Sequence, residues 1–133
     1  MKHIKLFENF NEGKAKANPT ADENFKPIGP EITYKNEFNE TTFIGQIYKE
    51  KYQNDRIALE MIGTKGKYKG ETILVATINV PSEKIADDEV IIKNYSENEG
   101  ILDVLIDAKI ISKPIRQVST GHVSAPVCKL LIK

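Results

Sequence analysis

The chain has no tryptophan, a single cysteine and only two histidines, and its 19 basic residues are matched by 19 acidic ones. Each shortage closes a class of function. With Cys128 alone no internal disulfide can form, which excludes a disulfide-stapled secreted scaffold and points to a reducing, intracellular setting. A structural zinc site needs clustered thiolate and imidazole ligands at short spacings, and past residue 30 the sequence offers only His122 and Cys128. No metal or other cofactor is expected. Zero formal net charge supplies no long-range field toward nucleic acid or an anionic membrane, so neither is expected as a partner. No stretch approaches the roughly twenty apolar residues that span a bilayer. The opening residues alternate charged with apolar groups instead of forming an apolar signal core, so secretion is not expected.

What is present divides into three regions. A length of 133 residues suits one domain with one core. Residues 1–12, "MKHIKLFENFNE", place Ile4, Phe7 and Asn11 on one helical face with Leu6 and Phe10 beside it, while Lys2, Lys5, Glu8 and Glu12 take the other side. A helix of about three turns is too short to be stable alone in water and needs a surface to fold on. Ile4, Leu6, Phe7 and Phe10 are its expected docking face. Residues 13–30, with Pro19, Pro27 and Pro30, read as an extended, flexible linker. Residues 31–133 carry the pattern of a compact domain.

Within that domain, "TTFIGQIYKEKY" (41–52) alternates as a strand with one wet face does, and "RIALEMI" (56–62) is its expected hairpin partner across Gln53, Asn54 and Asp55. "TILVATINV" (72–80) is apolar nearly throughout and reads as a central strand covered on both faces, stopped by Pro81. "EVIIKN" (89–94) reads as a further strand. Ser96 and Glu99 have capping-box spacing, which predicts a main helix from about Glu97 to Lys109 with Ile101, Val104, Leu105 and Ala108 on its inner face. A terminal hairpin around Gly121 closes the chain, and Pro126 there asks for a sheet edge or a bulge. An exposed edge at Pro126 would allow two chains to pair. The expected fold is α+β, a mainly antiparallel sheet of five or six strands with one helix packed on it.

The stretches that invite a chemical reading each have a plainer one. "GTKGKYKG" (63–70) has the glycines of a phosphate loop, but Tyr68 stands where a magnesium-binding Ser or Thr is needed, and a strand follows instead of a helix. A hairpin turn fits it better. Lys65, Lys67 and Lys69 with Tyr68 still make a small basic, stacking patch suited to a nucleic-acid strand or a nucleotide. "KNYSENEG" (93–100) crowds polar groups at a strand-to-helix junction, and beyond the capping pair it leaves Asn94, Tyr95 and Asn98 as candidate ligand contacts. His122 is a further candidate. Ser119 and His122 do not make a triad without a nucleophile on a strained turn. Cys128 alternates with Leu130 and Ile132 and reads as a small buried hydrophobe.

From about Thr41 to Leu131 the chain resembles a small family of uncharacterised domains encoded by tailed phages, prophages and conjugative elements. The resemblance is carried by "TINVPSEKIADDEVIIKNYSENEGILDVLIDAKII" and "STGHVSAPVCKL", where Asn79, Val80, Pro81, Asn94, Asn98, Gly100, Gly121 and Pro126 match the family pattern. It implies an accessory protein and brings no catalytic residues with it. The opening dodecamer separately resembles the capsid-targeting leaders of phage head proteins, which are clipped after Leu or Ile, any residue, then Glu, as in Leu6, Phe7 and Glu8.

Together these imply a non-enzymatic phage or mobile-element accessory protein of the host cytoplasm. It would bind a host factor or a small ligand, with counter-defence as a possible role. The alternative is a virion structural or head-internal protein incorporated through its leader by a capsid or scaffold partner. A small enzyme would require the loops at 63–70 and 94–99 to converge on a pocket.

Overall fold

The computed structural model describes residues 26–36 and 39–132. The amphipathic segment 1–12, with Ile4, Leu6, Phe7 and Phe10, and the linker up to residue 25 lie outside the described residues.

Strands β1 (Pro27–Lys35), β2 (Thr42–Lys51), β3 (Ile57–Gly63) and β4 (Thr72–Val75) form one antiparallel sheet in that order. Strands β5 (Glu89–Ile91), β6 (Arg116–Ser119) and β7 (Ser124–Lys129) form a second, in the order β5-β7-β6. Helix α1 (Ile101–Asp107) lies between β5 and β6 in the chain. The α+β class and the antiparallel pairing agree with the sequence expectation. The single sheet of five or six strands does not.

The run 72–80 accounts for the difference. It is not one strand: β4 ends at Val75 and forms an edge of the first sheet. The chain then crosses to the second sheet, where Thr77 bridges Ile92 and Ile78 N–H donates to Ile91 O at 3.0 Å. The run is apolar because it serves two cores in turn. Leu74 and Ala76 enter the main core, and Ile78 and Val80 pack on a second cluster of Ile91, Val118, Ala125 and Val127. The central, doubly covered strand is β3, on which only Ile62 is less than fully buried.

The main core lies between the inner face of the first sheet and α1. Ile32, Ile47, Leu59 and Met61 meet Ile101, Leu105, Ile110 and Ile111 there, and Cys128 joins them from β7. Burial pushes the Cys128 thiol up to about 11, so it behaves as a small hydrophobe. Val104 and Ala108 pack at the edge of this core, on the helix face expected of them.

Four local expectations change. α1 is seven residues long and starts after Gly100, not at Glu97. Ser96 has φ +55° in a preceding 3₁₀ turn (Ser96–Asn98) that has no side-chain cap, so the capping box is not formed. Pro126 sits in β7, the middle strand of its sheet, so it marks no exposed edge for a second chain. It is tolerated because β5 has ended at Ile91, and Pro126 O still accepts Ile92 N–H at 2.9 Å. Lastly, β1 begins at Pro27, inside the stretch read as linker. Both prolines of β1 lie on an edge strand, beside a register shift between Ile28 and Ile32, where missing donors are tolerated.

Candidate functional site

The crossover from β4 to β5 is held from both sides by side chains. Thr77 Oγ1 accepts Leu59 N–H at 3.2 Å and pairs with the Tyr52 hydroxyl at 2.9 Å. Burial pushes that phenol up to about 12, against the opposing pull of the Thr77 hydrogen bond. Beyond the crossover, Arg56 Nη1 donates to Val80 O at 2.7 Å and Nη2 donates to Glu83 O, which staples the loop after β4 to the start of β3. The Asn54 and Asn79 amides meet at 3.2 Å.

Two concavities open on this braced segment. A cleft of about 450 Å³ is walled by Tyr52, all four residues of β4, Thr77, Ile78, Asn79, Lys93 and Glu97. A groove of about 560 Å³ is walled by residues 78–81, Tyr95, Ser96, Thr120, His122 and Val123. Both include Ile78 and Asn79, so the cleft and the groove flank the same crossover segment, and the two together are called the trough below. Its floor is apolar, and polar groups stand at its margins. Lys93 Nζ meets Glu97 Oε2 at 2.7 Å and lies 5.8 Å from the centre of the Tyr95 ring. Burial pushes the Glu97 carboxyl up, but the Lys93 hydrogen bond and its own backbone amide outweigh it, and the group stays below its ordinary value. The ion pair is internally neutral, so the trough has no strong charge of either sign.

The residues nominated from the sequence fall into three groups. Tyr95 and His122, 27 positions apart in the chain, are brought together across the groove. Asn94 and Asn98 are structural. Asn94 Oδ1 accepts Gly100 N–H at 3.1 Å and Leu102 N–H at 2.9 Å, so it caps α1 in place of Ser96. Asn98 is 1% exposed and donates through Nδ2 to Val75 O at 2.8 Å, tying the helix approach to the edge of β4.

The basic turn is the third group, and it does not line the trough. Lys65 Nζ is 3.4 Å from Glu31 Oε1. Tyr68 packs against Phe43 in a tilted arrangement, with ring centres 5.1 Å apart and Lys67 Nζ 5.4 Å from the Tyr68 ring centre, so its ring is already engaged. Lys69 is exposed. The glycines here serve the backbone: a Cβ on Gly63 would stand 2.2 Å from Tyr68 O. The row Tyr68, Phe43 and Tyr34 connects the turn to the 94–99 stretch, the Tyr34 hydroxyl donating to Glu97 O or Glu99 O at 2.8 and 2.9 Å.

Sequence reasoning missed Arg56, Asn54 and the Ile78–Val80 floor. The clue lay in the spacing of apolar residues past Val75, where "TINV" continues the alternation beyond the end of β4. Among the described residues no cluster of three His, Cys, Asp or Glu could hold a metal ion. No described helix is long and apolar enough to cross a membrane. No family model, curated protein or solved structure matches this chain.

Proposed function

We propose that this protein is a non-enzymatic binding module that takes an apolar side chain of a protein partner into the trough beside the crossover. One observation carries the reading: Tyr95 and His122 stand with Val123 around an apolar floor on a segment braced by Arg56 and Thr77. Aromatic walls over an apolar floor suit a protein anchor residue. The neutral Lys93–Glu97 pair and the engaged ring of Tyr68 favour a protein over a nucleotide. Placing the protein among phage or mobile-element accessory proteins, with a host factor as partner, rests on the sequence resemblance alone. The head-cargo alternative rests on residues 1–12.

The test is partner capture from the source cell with four baits: the native chain, Tyr95→Ala, Val123→Glu and a Lys67→Ala/Lys69→Ala double variant. A protein retained by the native chain and the lysine variant, and lost from the other two, supports the trough. Capture unchanged by Tyr95→Ala and Val123→Glu, or a nucleotide released from the purified protein on denaturation, contradicts it.

A further inference from the structure

The first sheet has a second face, turned away from the main core, and it carries a carboxyl pair that the trough does not use. Glu60 on β3 stands between Tyr48 of β2 and Val75 of β4 and is wholly shielded from solvent. Glu50 pairs with Ala58 and is therefore the diagonal neighbour of Glu60, within reach of a long side chain. Glu60 Oε2 accepts the Thr72 hydroxyl. Glu60 Oε1 and Glu50 Oε2 are both buried and receive no donor. None of the ion pairs among the described residues reaches either carboxyl. Among the described residues, the other titratable groups on this face are Tyr48 and Tyr52 beside the pair and Lys35 at the far end of β1, opposite Thr42, while the Lys93–Glu97 ion pair shares the neighbouring cleft with Tyr52, Thr72 and Val75. β4 presents Thr72 and Val75, which do not titrate.

Two bare carboxylates held together in this way lose hydration and repel each other, and one proton between them removes both penalties. We propose that Glu50 and Glu60 share one retained proton and, with the Thr72 hydroxyl, form a clasp that fastens edge strand β4 to β2 and β3. The two oxygens that lack donors then become each other's partners. Burial, followed by the hydrogen bond and charge of Glu50, pushes Glu60 up to about 10, while the Thr72 hydrogen bond pulls the other way. The clasp stands independently of the binding reading; only its bearing on the β4 wall of the cleft rests on that reading.

The folded chain then holds one proton more than the unfolded chain between the ordinary value of 4.5 and about 10. Stability from this pair is complete below that window, declines through it as pH rises, and is gone above it. One extra proton corresponds to about a tenfold fall in the folding constant per pH unit.

The experiment is ¹³C NMR of the full chain labelled at glutamate Cδ, from pH 5 to 10. One glutamate resonance should keep its protonated position at pH 7 and disappear in Glu60→Gln, while Glu50→Gln should lower the pH at which it titrates. Glu60→Gln supplies an amide in place of the shared proton, so its folding constant should change less steeply with pH. Protection of the β4 amides in the native chain, taken relative to the intrinsic exchange rate at each pH, should fall in step with the titration. All glutamates ionised by pH 7 in the native chain would overturn the proposal, a reading that requires no variant to fold. So would an unchanged pH slope in Glu60→Gln, or β4 protection that ignores the titration.

Discussion

Asn94 shows how much one side chain decides. Its Oδ1 takes two amide donors at the start of α1, from Gly100 and Leu102, which a seven-residue helix cannot satisfy internally. Asn94→Ala should cost about 1–2 kcal/mol by urea denaturation. Ser96→Ala should stay within about 0.5 kcal/mol, because no side-chain cap forms in its turn. The reverse ranking would restore the capping box. The sequence showed which face of the helix is buried, since Ile101 and Leu105 repeat at helical spacing. It did not show where the helix begins. Ser96 and Glu99 have the spacing of a capping pair, but Gly100 at φ +97° resets the chain direction between them and the helix.

At the scale of elements, the brace on the 76–83 segment decides whether the trough keeps its floor. Arg56 makes two charge-assisted bonds to carbonyls there. Arg56→Met should cost about 2 kcal/mol and speed amide exchange at residues 80–83 ahead of β3. Equal exchange in the two proteins would mean that the loop is held by packing alone. The hairpin of β2 and β3 was readable from alternation and from the polar turn at Gln53, Asn54 and Asp55, because one wet face leaves a period-two trace. The division into two sheets was not. A run such as 72–80 has the same composition whether it fills one buried strand or feeds two cores in succession. Pro126 misled for a related reason: the rule concerns the missing donor, and in β7 that donor falls where β5 has ended.

Across the whole molecule, opposing carboxyl groups set the pH response. Glu89 is held below its ordinary value by the Arg116 hydrogen bond, then by Ala86 N–H. Glu97 is also held low, the Lys93 bond and its own amide outweighing burial. Their contributions are complete above 4.5 and are lost as pH falls through the lowered folded values. Glu60 acts in the opposite sense, losing stability as pH rises from 4.5. Thermal denaturation should therefore give a maximum near pH 4.5 to 5, and a steady rise from pH 5 to 8 would contradict this balance. The site was only half legible at this scale. Tyr95 and His122 could be nominated as residues, but their meeting depends on the second sheet, which no local pattern announced.

The central claim is that a partner enters the trough, and hydrogen exchange of the full chain with and without its captured partner tests it most directly. The account predicts new protection at residues 78–81, 95–96 and 120–123, with the 65–69 turn unchanged. Protection confined to that turn or to residues 1–12 would contradict it.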